Sequence, residues 1–243
     1  MTGRIDEFLE AYAREFDFYQ EAARICQQQC EKLLESNGIR AIVTHRAKRD
    51  DRLRDKLLKR TKEKDYASVE EIRNDIVDLA GVRVALYFPT DRVMLDNLVN
   101  RSFVVAETKE FPEPGHRRRE GARFDGYQAT HYRVRLMAED VPENQRRYAA
   151  ALIEIQVASV LMHAWSEVEH DLIYKPLSGE LSTDELAILD ELNGLVHAGE
   201  IALERLQRAV EARVGRHGSR FNNHFELAAF LYEEAKKLGG KDQ

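Results

Sequence analysis

Apolar residues fall at every second position through Val82, Val84, Leu86 and Phe88, whereas the N-terminal stretch before them repeats apolar residues at steps of three and four. The first period belongs to a strand with one buried face and the second to an amphipathic helix, so the chain must fold as a mixture of both around a shared core. Ile5, Phe8, Leu9, Tyr12, Phe16, Tyr19, Ala23, Cys26 and Leu33 trace a long helix to about Ser36, where Asn37-Gly38 supplies a stop. The basic stretch after Thr44 also reads as helix. Ser68 and Glu71 form a candidate capping box for a helix through Val77 that stops at Gly81, and Pro89 ends the strand that follows. A helix is expected over 91–100, and further strands over 103–107, 130–136 and 152–157. After Lys175 the pattern is wholly helical, opening on a second capping box at Ser182 to Glu185 and closing with a short helix over 223–237. The expected class is α+β: a mixed β-sheet flanked by helices. The N-terminal helix over 1–38 packs on a core of 39–178, and 179–243 form a C-terminal helical extension.

Charge is unevenly spread. The chain carries a net −6, yet between His45 and Lys64 ten Lys or Arg face four acids. A second basic knot, Arg117, Arg118, Arg119 and Arg123, is punctuated by Gly115, Gly121 and Gly126. The overall acidity argues against a protein coated in nucleic acid, while the local patches suit either a solvated helix face or polyphosphate. No run approaches the roughly 18 apolar residues of a membrane span, and the first ten residues lack a signal-peptide profile, so a cytoplasmic protein is expected. Cys26 and Cys30, four apart on one helix, read as reduced thiols.

Several residues could carry chemistry. In the strand 152–157, Ile153, Ile155 and Val157 share one face and Glu154 and Gln156 the other; a carboxylate in an apolar strand calls for a partner or a cation unless it faces solvent. Asp78 lies just before the strand at Val82, and Arg83 is the polar-face residue inside it. If Asp78 and Glu154 converge they make a two-carboxylate Mg2+ site, the remaining ligands coming from substrate phosphates. Tyr127, beside Gly126 and four residues before His131, suits base stacking. His163, Glu167, His170 and Tyr174 line one helical face, but the zinc-protease order His-Glu-x-x-His is not there, so a hydrogen-bonded polar face toward a cleft is the expectation.

Taken together, Asp78-Leu79-Ala80-Gly81-Val82-Arg83, Gly126-Tyr127-Gln128-Ala129-Thr130-His131 and Glu154-Ile155-Gln156-Val157, followed by Met162-His163-Ala164-Trp165-Ser166-Glu167, resemble the ordered motifs of the RelA/SpoT synthetase domain over roughly residues 40–175. With no His-Asp hydrolase domain upstream, the chain is similar to the small, single-domain alarmone synthetases. The resemblance implies a nucleotidyltransferase-like sheet and an ATP pyrophosphokinase, using Mg2+, that modifies the 3'-hydroxyl of GDP or GTP. It also implies roles. Arg46 and Arg83 would sandwich the adenine, Lys48 and Lys56 would hold ATP phosphates, and Arg52 would join them where the family more often has serine. Asp78 and Glu154 would bind metal, with Glu154 the catalytic carboxylate. Tyr127, His131, Gln156, His163 and Arg123 would serve the acceptor.

Ala129, Ala158 and His163 stand where the family usually has serine, arginine and asparagine, so acceptor-phosphate binding is expected to differ, with the 117–123 arginines as candidate replacements. Two rival readings follow: a toxin-like enzyme that pyrophosphorylates the 3' end of tRNA, and a catalytically degenerate nucleotide or RNA sensor. The C-terminal helices either pack on the core or present an apolar stripe for a homo-oligomer.

Overall fold

The computed structural model describes residues 2–62, 64–118, 121–174, 181–217, 221 and 223–239. Helix α1 (Thr2–Ser36) buries Phe8, Tyr12, Ala22, Ala23 and Cys26 almost completely, following the three- and four-residue steps of its apolar positions. Cys26 and Cys30 are both buried and unbridged. The helix ends because Gly38 turns left-handed, with φ 69°, letting the Ile39 amide reach back to the Leu34 carbonyl at 3.0 Å.

Strand β1 (Ala41–Ala47) follows, then α2 (Asp50–Arg60), α3 (Val69–Asp75), β2 (Ala80–Leu86), α4 (Asp91–Ser102), β3 (Phe103–Phe111) and β4 (Ala129–Leu136). A 3-10 segment (Glu143–Ala150), β5 (Ile153–Ser159), α5 (Val160–Tyr174), α6 (Thr183–His217) and α7 (His224–Gly239) complete the order. The five strands form one mixed sheet in the order β1-β2-β5-β4-β3, antiparallel except for the parallel pair β2 and β5. The box at Ser182 closes both ways, Glu185 N–H donating to Ser182 Oγ at 3.2 Å and Ser182 N–H to Glu185 Oε2 at 2.7 Å; at Ser68 the Glu71 N–H donates to Oγ at 3.2 Å, while the Glu71 carboxylate accepts from the preceding Ala67 N–H at 2.6 Å.

One expectation is corrected. The basic stretch does not become helix directly after Thr44; residues 41–47 are a strand, and helix begins only at Asp50. The reason lies at the sheet edge. Alternate residues of β1 turn toward α1, whose side chains satisfy the strand's outward backbone: Ala47 N–H donates to Gln20 Oε1 at 2.8 Å and Gln27 Nε2 to the Val43 carbonyl at 3.2 Å. The first of the expected later strands also runs further, through Phe111.

The sheet's two faces differ in kind. Val82, Val84, Ile153, Ile155, Val157, Tyr132 and Val134 fill one core cluster with α1, the wholly buried Leu53 and Leu57 of α2, and Ile72 of α3. Each such Leu or Ile contributes about 1.5–3 kcal/mol on burial. The opposite face carries the polar residues.

Candidate active site on the polar face of the sheet

Strand register sets the site. Residues opposite one another in neighbouring strands share a face, and two polar rows therefore cross the whole sheet. One runs Arg46, Gly81, Glu154, Arg133, Glu107; the other runs Thr44, Arg83, Gln156, His131, Lys109. Gly81 leaves its row open between Arg46 and Glu154.

Asp78 reaches the same place from the loop before β2. Thr44, His45, Arg46, Lys48, Asp78, Gly81, Val82, Arg83, Glu154 and Gln156 line one cavity of about 70 Å³. The two carboxylates expected to converge thus border one space. Asp78 accepts from Lys48 Nζ and, at 2.9 Å, from Lys56 Nζ. Lys48 is itself held by the backbone, its carbonyl accepting the hydroxyl of the buried Tyr12 at 2.6 Å. Burial would raise the Asp78 carboxyl, but the charges of Lys48 and Lys56 pull it down to about 2. Burial also lowers the Lys48 ammonium, against the opposing pull of Asp78.

Glu154 is 9% exposed and needs its partners. Gln156 Nε2 donates to it at 2.7 Å, and His131 Nδ1 stands 3.5 Å from its other oxygen. Withdrawal from water would raise this carboxyl; the hydrogen bond and charge of His131, with Gln156, hold it below the usual glutamate value. Arg83 bridges outward, with Nε 3.4 Å from Gln156 Oε1 and an ion pair to Glu167 of α5.

The remaining expected residues distribute around this centre. Tyr127 caps the β4 side, its hydroxyl 3.2 Å from His131 Nε2. Phe111, which nothing in the sequence pattern singled out, packs 4.6 Å from the His131 ring and 6.0 Å from Tyr127, centroid to centroid. His163 does not line the cavity; it is buried behind β2, donating from Nε2 to the Val84 carbonyl at 3.3 Å, and burial with the nearby Arg83 pushes it down to about 4. Arg52 lies on α2 one turn before Lys56, outside the cavity lining. Arg123 points to α6, 3.6 Å from Asp190, with its guanidinium mostly exposed. Of its basic neighbours Arg118 pairs with Asp125, and Arg119 lies outside the described residues. The side chains of His170 and Tyr174, expected on the polar face of α5, also lie outside them.

Ala129 and Ala158 are buried together with Met162 and Trp165, with Tyr127 against them. Two alanines therefore make an apolar floor beside the polar rows, a setting in which an arginine would bury an unpaired charge.

The family profile described as "Region found in RelA / SpoT proteins" matches residues 25–178. The chain belongs to the RelA/SpoT family. Among curated proteins none matches the sequence. The RelA/SpoT fold appears in solved structures to which this chain is similar. A GTP pyrophosphokinase family protein from Streptococcus pneumoniae aligns with TM-score 0.63 at 20% identity, covering 82% of this chain and 94% of that one. Small alarmone synthetase 1 from Bacillus subtilis gives 0.63 at 18% identity over 84% and 99%. The same synthetase bound to its product pppGpp gives 0.60 at 19% over 83% and 98%. At these identities the likeness is one of fold. Among the described residues no helix is long and apolar enough to cross a membrane.

Proposed function

We propose that this chain is a pyrophosphokinase that transfers the β,γ-pyrophosphate of ATP to the 3'-hydroxyl of a guanosine nucleotide, GDP or GTP, releasing AMP. The observation that carries the reading is that Asp78 and Glu154 border one cavity together with Arg46, Lys48 and Arg83. Family membership supports the reaction class.

The cavity is far smaller than the roughly 300–1,000 Å³ of a pocket enclosing a whole ligand. A nucleotide would lie over the open sheet, with only its phosphates drawn in. Arg46 and Arg83, on adjacent strands, would flank the adenine; Lys48 and Lys56 would turn from Asp78 to the triphosphate. Gln156, His131, Tyr127 and the 123–127 segment lie on the acceptor's side.

The donor set fits Mg2+. Two carboxylates reach the cavity, and Mg2+ typically takes one or two carboxylates with substrate phosphates completing its shell. Asp78 and Glu154 would hold it, and when bound it would polarise the phosphoryl oxygens. The acceptor 3'-oxygen forms a bond to the β-phosphorus, the bond from that phosphorus to the oxygen bridging to the α-phosphate breaks, and AMP departs with that oxygen. Glu154, already ionised at neutral pH, takes the hydroxyl proton. Lys48, Lys56 and the two arginines offset the charge gathered on the phosphates.

The test is ATP labelled in its γ-phosphate, incubated separately with GDP, GTP, GMP and tRNA. Label on GDP or GTP with stoichiometric AMP is expected. Label on tRNA alone, or nucleotide binding with no AMP under any acceptor, would overturn the proposal in favour of a tRNA-modifying enzyme or a sensor respectively.

A further inference from the structure

Asp190 on α6 is 7% exposed, a carboxylate buried outside the catalytic cavity, and such a group requires partners to be tolerated. Its hydrogen-bond partners are backbone, with the Arg123 guanidinium as an ion-pair partner at 3.6 Å. The amide of Arg123 donates to its two oxygens at 3.0 and 3.1 Å, and the amide of Phe124 donates at 3.3 Å. Charge-assisted bonds of this kind are stronger than neutral ones.

Two further contacts lie along the same helical face, at steps of four and three from Asp190. Gly194 lies so close to the Phe124 ring that a Cβ built there would be 2.5 Å from it, and His197 stacks on that ring at 5.6 Å with an interplanar angle of 26°. Three residues of α6, Asp190, Gly194 and His197, therefore grip two consecutive loop residues.

The gripped loop is bounded by glycines. Gly121 and Gly126 both take left-handed backbone, with φ 81° and 78°, so the chain turns at each end and is fixed between them only by what it touches. Immediately beyond Gly126 comes Tyr127, resting on His131, with the Trp165 ring 3.6 Å from the Gly126 Cβ position.

We propose that Asp190 is a positioning residue: it anchors the 121–126 loop to α6 and thereby sets where Tyr127 and Arg123 meet the acceptor nucleotide. This gives the C-terminal extension a part in acceptor binding, apart from any role in self-association. The inference about the acceptor rests on the function proposed above; the anchoring does not.

Steady-state kinetics on the full chain separate the two substrates. Asp190→Ala and Gly194→Ala raise the KM for acceptor about tenfold, on the scale of a weakened base-stacking contact at Tyr127, and leave the KM for ATP within about twofold. Asp190→Asn, whose amide oxygen still accepts, falls between them and wild type. In parallel, hydrogen exchange at the amides of Arg123 and Phe124 speeds at least tenfold in Asp190→Ala while amides of β2 and β5 keep their protection. Unchanged exchange at 123 and 124, or acceptor and ATP KM rising together in all three variants, overturns the anchor. A wild-type protein that transfers to no acceptor, with exchange responding as expected, sinks the functional reading and leaves the anchor standing.

Discussion

Gln156 donates from Nε2 to Glu154 Oε2 at 2.7 Å, two residues along one strand. That bond, with His131 on the other oxygen, fixes the carboxylate over the sheet and keeps it ionised. In Glu154→Gln the shape stays and the proton acceptor is lost. Turnover should fall by about 10³, within the range of general-base contributions, with the acceptor KM little changed. Single-turnover rates with labelled ATP check this, and an unchanged rate removes Glu154 from the chemistry.

Asp78 pairs with Lys48 and Lys56 and is proposed to hold the metal, so its replacement should show in two measurements. Asp78→Asn leaves Lys48 and Lys56 facing each other without the charge that compensates them. Stability should drop by roughly 2 kcal/mol, the scale of hydrogen bonds to a charged group. Transfer should disappear, and EDTA should abolish it in the wild type. Urea unfolding and the label assay read the two effects; full transfer by Asp78→Asn with an unchanged Mg2+ requirement would assign Asp78 to structure alone, whereas rescue by excess Mg2+ would support its place at the metal.

Much of this arrangement is legible in the sequence. The alternation around Glu154 and Gln156 survives because one face of β5 is buried core and the other meets the cavity. Asp78 and Arg83 are legible for the same reason, being polar residues at and just inside a strongly apolar strand. Strand β1 is not. It is an edge strand with one face toward α1 and the other toward a polar cavity, so it lacks an apolar alternation, and its arginine reads, with the lysine beyond it, as a continuation of the charged helix α2. Phe111 escapes likewise, since Glu107, Lys109 and Glu110 hide the last half of an edge strand whose charges stay on the surface. Asp190 carries no signal at all: an acid on a helix looks solvated until the loop that covers it is known.

The aromatic group on the β4 side makes a separable prediction for the acceptor. Tyr127→Ala should raise the acceptor KM about tenfold, in line with the 1–3 kcal/mol of a base stacked on an aromatic ring. Tyr127→Phe keeps the ring and gives up only the contact with His131 Nε2, so its acceptor KM should stay within about threefold on the same reasoning. Equal loss in both variants would mean that the hydroxyl, through His131, matters and that stacking does not.

His163 supplies a pH dependence whose sign can be worked out. Burial holds its imidazole at about 4 in the folded protein, against 6.5 for a solvated histidine, so between those values the unfolded state binds a proton that the folded state refuses. The contribution of His163 is therefore complete above 6.5, is lost as the pH falls toward 4, and is flat below. Asp91 works the other way. Burial raises its carboxyl to about 6, from 3.8, so in the overlapping window the folded state takes the extra proton there and gains stability on acidification. The wild-type slope is a difference of the two, and single substitutions should pull it apart. His163→Asn should gain stability relative to wild type on going from pH 7 to 4.5, by an amount on the order of 2 kcal/mol, since each tenfold change in proton affinity is worth about 1.4 kcal/mol. Asp91→Asn should lose over the same interval. Urea midpoints at the two pH values decide it, and a His163→Asn curve parallel to wild type would mean that the imidazole is not held neutral by its burial between α5 and β2.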